Sequence, residues 1–312
     1  MTAQYENYTL HRLIDRAQIK ERNWTIDSAY QYCESLARSH YENFPVGSVL
    51  IPKRLRKHVY SIYAFARTAD DFADEGDQKS LDQKQRLDLI DCWREMLADA
   101  FADRATHPIF VALAQTSREF NLPASLFEDL LSAFSQDVIT QRYETFDQLI
   151  DYCRRSANPV GRLILLLFGH RNEKYFAWSD AICTGLQLAN HWQDVSVDLD
   201  KDRVYIPLED LERFSVTLAQ LKERRVTKEF ERLMAFEVER ARGLFLEGRP
   251  LCVAVKGRLG LELRAIWSGG WRVLERIREN GYDVFARRPV IEYRDKLRIL
   301  FFAISKEAFL SQ

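Results

Sequence analysis

The sequence predicts an all-α protein built as a single domain. Glycine (12) and proline (8) are scarce in 312 residues, and apolar residues recur at three- and four-residue intervals rather than alternating. No Gly/Ser/Pro-rich linker, charge block or repeat of about 20–50 residues divides the chain. Residues 1–312 are therefore read as one domain, with 1–26 a segment ahead of the first helix that is free to be flexible.

The periodicity places helices at about 27–40, 53–75, 80–104, 107–120, 124–140, 146–168, 173–199, 217–223, 227–247, 256–279 and 291–310. Asp27 is positioned to N-cap the first of these. Pro52 and Pro123 stand near helix starts, while Gly76 and Gly169 fall where helices should stop. The amphipathic stretch Leu297–Ile304 could touch a membrane surface, but its period reads more simply as core packing.

Lys+Arg (45) and Asp+Glu (46) nearly cancel, so the chain offers no electrostatic footprint for nucleic acid and no bulk attraction to anionic membranes. The N-terminus lacks the basic-then-apolar order of a secretory signal, and the longest apolar run, Leu163 to Phe168, is far short of the roughly 20 residues that cross a bilayer. A cytoplasmic protein with at most peripheral membrane contact is expected. Cys33, Cys92, Cys153, Cys183 and Cys252 are scattered and odd in number, without the paired spacing zinc requires, and read as reduced core residues.

Two acidic clusters carry the chemistry. In the first, an apolar stretch from Val59 ends in Asp70, Asp71, Asp74 and Glu75. Asp70 and Asp74 stand one turn apart on one helical face, near a C-terminus whose dipole disfavours anions. Alone, such a cluster is usually a solvated helix end. The second cluster sets Asn190, Asp194 and Asp198 at i, i+4 and i+8 on one stripe, with Leu188, Trp192, Val195 and Val197 as the apolar residues of a largely buried helix. Oxygen-bearing side chains there must be paired, metal-bound or lining a cavity. Two such stripes facing each other would hold Mg²⁺, which prefers carboxylates, water and phosphate oxygens. Arg67, three residues before Asp70, could meet a phosphate or pair within its own helix. Lys201 and Arg203 follow the second cluster and by themselves read as a solvated loop.

These residues resemble the squalene/phytoene synthase family from about His40 to the last helix. Tyr63-Ala-Phe-Ala-Arg67-Thr-Ala-Asp70-Asp71-Phe-Ala-Asp74 is similar to the family's Y-A-x-x-R-x-x-D-D-x-x-D. Leu186-Gln-Leu-Ala-Asn190 through Asp194 and Asp198 to Asp202-Arg203-Val204-Tyr205-Ile206-Pro207 is similar to its second motif. Tyr152-Cys153 with Ala157-Asn158-Pro159-Val160-Gly161 is similar to its central segment. The resemblance implies an isoprenoid synthase fold with helices around a hydrophobic channel. It implies that Asp70, Asp74, Asn190, Asp194 and Asp198 bind Mg²⁺, and that Tyr63, Arg67 and Gln187 act at the diphosphate and cation.

Three positions depart from the family pattern. Tyr41-Glu42-Asn43-Phe44 stands where a phosphate-binding S-x-S-F is usual, Gln193 where an Arg precedes the second acid, and Arg154 where an aromatic is common. These features resemble the bacterial hydroxysqualene synthase branch. The resemblance implies a lyase that takes presqualene diphosphate from a related enzyme, ionises it, captures the cation with water, and leaves reduction to a downstream reductase. Tyr41, Asn43, Phe44, Arg154, Asn158, Arg203 and Tyr205 would contact substrate, with Tyr41, Phe44, Tyr63 and Trp192 as candidate cation-facing aromatics, although Trp192 reads better as core. Gln193 could position the attacking water or simply bond its neighbours. No G-x-G-x-x-G is present, and NADPH is not expected. The alternatives are a squalene or phytoene synthase that condenses two prenyl diphosphates, and a non-catalytic assembly factor.

Overall fold

The computed structural model describes residues 24–39, 50–73 and 81–311. Within them the chain is helical, and its only strand-like pairing is an isolated parallel bridge between Arg142 and Val204. Contacts divide it into two compact units, Met1–Ile139 and Thr140–Gln312, taken in turn.

The first unit comprises α1 (Ile26–Ser39), α2 (Lys53–Ala73), α3 (Gln83–Phe101), α4 (Pro108–Phe120) and α5 (Ala124–Ile139). Thr25, not Asp27, caps α1: its hydroxyl accepts from the Ser28 amide at 3.2 Å, and Asp27 lies inside the first turn. Gly76 lies outside the described residues. One face of α2 buries Ile62, Phe65, Ala69 and Phe72. There Trp93 packs edge-on against Phe110 and Phe72, and Phe65 against Phe127. With that face committed to the core, Tyr63, Arg67 and Asp70 are turned together onto the half-exposed side.

The second unit comprises α6 (Phe146–Ser156), α7 (Asn158–Leu167), α8 (Glu173–Asp200), α9 (Leu208–Arg213), α10 (Leu218–Lys222), α11 (Lys228–Ala254), α12 (Gly257–Glu279), α13 (Tyr293–Ile304) and α14 (Lys306–Leu310). The helix expected over 146–168 is broken at Ala157, because Pro159 has no N–H for the carbonyl four residues earlier and instead opens a new helix. The helix expected over 291–310 is broken at Ser305, whose hydroxyl caps α14. Gly169 adopts φ +83 just after α7, as a stop glycine should. Helix α9 is not visible in the apolar period, and α11 runs on past residue 247 with Pro250 inside it.

The 28-residue α8 is the spine of this unit and packs against α11, α12, α7 and α6. Close approach depends on small residues: a Cβ on Gly270 would lie 2.4 Å from Phe245 Cζ and 2.6 Å from Leu186 Cδ2. The chain after α8 is tied back to the chain before α6. Val204 donates to Gln141 O at 3.0 Å and Leu208 to Tyr143 O at 2.9 Å, and Arg142 grips Asp202.

Helix α13 is fastened to α12 by ion pairs. Buried Asp295 accepts from Arg272 Nε and Arg276 Nη2, each at 2.7 Å. Burial alone would raise its pKa, but these partners hold it at about 2. Core packing of Leu297–Ile304 is not what forms: Ala303 faces inward, while Leu297, Leu300, Phe301 and Ile304 are exposed. The period is that of an amphipathic helix, but ion pairs occupy the inward side. Cys33, Cys153 and Cys252 are buried, and no disulfide joins any of the five cysteines.

Candidate active site

In the first unit, α2 presents Tyr63, Arg67 and Asp70 on one stripe. Arg67 Nη1 meets Asp70 Oδ2 at 3.2 Å and Nη2 meets Asp71 Oδ1 at 2.5 Å. Burial would lower the Arg67 pKa, and Asp71 and Asp70 outweigh it, so the group stays charged. The expected intrahelical pairing therefore forms, while Arg67 Nε is buried with no acceptor among the described residues. Asp74, Tyr41, Asn43 and Phe44 lie outside the described residues.

In the second unit, 3.6 residues per turn bring Gln187, Asn190, Asp194 and Asp198 onto one stripe of α8. The opposite side buries Leu188, Trp192 and Val195; Val197, expected among them, is exposed instead because it projects close to the polar stripe. Burial, with the neighbouring Asp194, raises the Asp198 pKa to about 7 against the lowering charges of Arg203, Lys201 and Arg288. Arg288 donates to both carboxylate oxygens of Asp194, through Nη2 at 2.9 Å and through Nε.

An aromatic layer backs this stripe. The Tyr205 ring stacks on His191 at 3.7 Å and 15° between planes, with Tyr143 and Tyr152 beside it. His191 Nε2 lies 3.3 Å from Gln187 Nε2. Burial pushes the His191 pKa down to about 3, so the ring is neutral and can accept the amide proton.

Other expected site residues are engaged in bonds of their own. Arg154 is exposed and pairs with Asp151. Asn158 is buried, its Oδ1 accepting from Thr184 Oγ1 at 2.9 Å, which ties α7 to α8. Gln193 is buried about 100° around the helix from Asp194, and its amide donates to the Pro289 carbonyl. The acceptor is a distant backbone carbonyl rather than the neighbouring side chains expected as the alternative to water delivery.

The donor set suits a hard divalent cation. Among the described residues no three His, Cys, Asp or Glu side chains converge, so the second motif offers two carboxylates and an amide. Mg²⁺ takes such a partial oxygen set and fills the remainder with water and phosphate oxygens. A carboxylate raised by its neighbour, as Asp198 is by Asp194, is also better satisfied by a cation than by a single guanidinium.

The family model for squalene/phytoene synthases matches residues 37–295. The chain belongs to the squalene/phytoene synthase family. It is 36% identical to the hydroxysqualene synthase of Rhodopseudomonas palustris over 235 residues, 75% of this chain and 78% of that protein. It is 30% identical to the phytoene synthase of Arthrospira platensis over 289 residues, 88% of this chain and 92% of that one. The crystal structure of squalene synthase HpnC from Alicyclobacillus acidocaldarius matches with a TM-score of 0.78 and 44% identity over 83% of this chain and 96% of that one. This family's members process prenyl diphosphates, and the fold is the isoprenoid synthase fold. Among the described residues no helix is long and apolar enough to cross a membrane.

For a squalene/phytoene synthase relative, the sequence reading missed Arg288 and His191. Arg288 is separated from Asp194 by 94 residues, and only the basic pair Arg287-Arg288 before Pro289 hints at it. His191 sits within the second motif and was readable as one of its spacer positions.

Proposed function

We propose that this chain ionises presqualene diphosphate and captures the rearranged cation with water, giving hydroxysqualene, diphosphate and a proton. The carrying observation is the α8 stripe of Gln187, Asn190, Asp194 and Asp198, in a chain 36% identical to a hydroxysqualene synthase.

In this reading Asn190, Asp194 and Asp198 hold Mg²⁺ in the second unit, and Asp70 with Asp74 in the first. Bound there, Mg²⁺ supplies positive charge to the departing diphosphate. Arg67, whose Nε has no acceptor among the described residues, is suited to take a phosphate oxygen. Arg203 adds positive charge beside Asp198. The Gln187–His191–Tyr205 layer fixes the amide at the edge of the stripe and presents an uncharged aromatic surface, which a carbocation tolerates. The reading uses no NADPH. The substrate comes from an enzyme that forms presqualene diphosphate, and the product goes to a reductase.

The phytoene synthase relative, alignable over 88% of this chain, favours a second reading, condensation of two prenyl diphosphates. Incubation with presqualene diphosphate and Mg²⁺ in heavy-oxygen water, with and without NADPH, decides between them. The proposal expects a labelled thirty-carbon alcohol under both conditions, and loss of diphosphate release in Asp194→Asn and Asp70→Asn. Squalene formed only with NADPH, or turnover of farnesyl diphosphate alone, would establish the second reading. A wild-type chain that releases no diphosphate would be an assembly factor.

A further inference from the structure

Helix α13 carries an apolar stripe that has no partner among the described residues. Tyr293, Leu297, Leu300, Phe301 and Ile304 are 75%, 52%, 56%, 58% and 67% exposed, and at i, i+4, i+7, i+8 and i+11 they share one side of the helix. Single exposed apolar residues are ordinary, but a contiguous row of five marks an interaction surface. The helix is not loosely attached. Asp295, on the opposite side, is buried between Arg272 and Arg276, so α13 is locked with its apolar stripe outward.

The flanks identify the occupant. Arg294 and Arg298 on one side and Lys296 on the other are exposed. The one exposed acid close to the stripe on this helix's N-terminal side, Glu292, is paired with Arg276. An apolar row between basic flanks matches the surface of an anionic bilayer, where the row enters the acyl boundary and the cations stay with the headgroups. A second copy fits less well, because it would bring identical basic flanks together.

We propose that α13 docks this protein onto anionic phospholipid membranes, with Leu297, Leu300, Phe301 and Ile304 inserted and Arg294, Lys296 and Arg298 at the headgroups. The proposal rests on this surface alone and holds whichever reaction the active site performs.

Co-sedimentation of the full chain with phosphatidylcholine vesicles, with and without phosphatidylglycerol, tests it. The wild-type chain should pellet with the anionic vesicles and release at high salt. Leu300→Ser/Phe301→Ser should weaken binding at least about tenfold, and Lys296→Glu/Arg298→Glu should abolish the preference for phosphatidylglycerol. Both double variants replace solvent-facing side chains and should keep the wild-type melting curve. The proposal is overturned if the wild-type chain ignores anionic vesicles, or if binding survives Leu300→Ser/Phe301→Ser. It is equally overturned if that variant instead splits a dimer seen by analytical ultracentrifugation while vesicle binding is absent.

Discussion

Arg288 lays its guanidinium across both carboxylate oxygens of Asp194, a residue 94 positions earlier in the chain. In the proposed function the same oxygens hold a divalent cation, and Arg288 would be the counterion that the cation displaces or shares. The pair is partly exposed, which limits its worth to about 0.2–1 kcal/mol. Arg288→Gln should therefore tighten Mg²⁺ or Mn²⁺ binding to the substrate-free protein, by no more than about fivefold. Calorimetric titration measures this directly, and weaker binding in the variant would mean that Arg288 supports the site in some other way.

Gln193 holds the same segment from a position about 100° around α8 from Asp194. Its amide donates to the carbonyl of buried Pro289, the residue next to Arg288. Gln193→Leu keeps the bulk but leaves that carbonyl without a donor, at a cost of about 1–3 kcal/mol. The melting temperature should fall, and metal affinity should move in the direction seen for Arg288→Gln because the guanidinium loses its anchor. If the proposed reaction is the one performed, the alcohol fraction of its product should stay as in wild type. A shift toward eliminated hydrocarbons would return Gln193 to the water-delivery role.

The helices bearing the two acidic motifs were legible because their apolar periods are long and local, and the same regularity placed Tyr63, Arg67 and Asp70 on one stripe. Helix breaks were harder to read. Pro159 opens α7 as a first-turn proline, and a first-turn proline disturbs the apolar period too little to mark a boundary. Leu297–Ile304 has the spacing of a buried face, and the period does not reveal that Asp295 and its two arginines take the inward side. Asn158 and Arg154 belong to a family-like segment, yet one closes a buried bond and the other a surface ion pair; a motif does not say which of its members face a ligand. Arg288 reaches Asp194 only through tertiary structure.

Gly270 is where α12 comes closest to α8 and α11. A methyl group there would meet the buried Phe245 ring at 2.4 Å and Leu186 at 2.6 Å, and the Phe245 ring cannot retreat within a packed core. Gly270→Ala should destabilise the fold by about 1–3 kcal/mol through overpacking. It should also disturb the α8 stripe, since Leu186 is next to Gln187. Gly243 provides the control: it is exposed on α11 with nothing within 4 Å of its Cβ position. Gly243→Ala should be stabilising by up to about 1 kcal/mol from helix propensity. Equal effects of the two substitutions in thermal melts would mean that the contact at Gly270 yields.

Glu237 and Asp210 are buried together beside Arg240, whose Nη1 lies 2.5 Å from Asp210 Oδ2 and 3.4 Å from Glu237 Oε2. One guanidinium faces two carboxyl groups. Burial pushes the Glu237 pKa from 4.5 up to about 8; Arg240 opposes the rise and Asp210 adds to it. The folded state therefore keeps a proton on Glu237 that the unfolded chain releases near its ordinary value. Because the folded pKa is the higher of the two, the stability this proton confers is complete below about pH 4.5 and is lost as pH rises through about 8. Glu237→Gln, which copies the protonated carboxyl, should match wild type at the acid end of that window. Its advantage should grow steadily toward alkaline pH. Melting temperatures of both proteins across the window measure the difference, and parallel curves would show that Glu237 is already ionised in the folded chain.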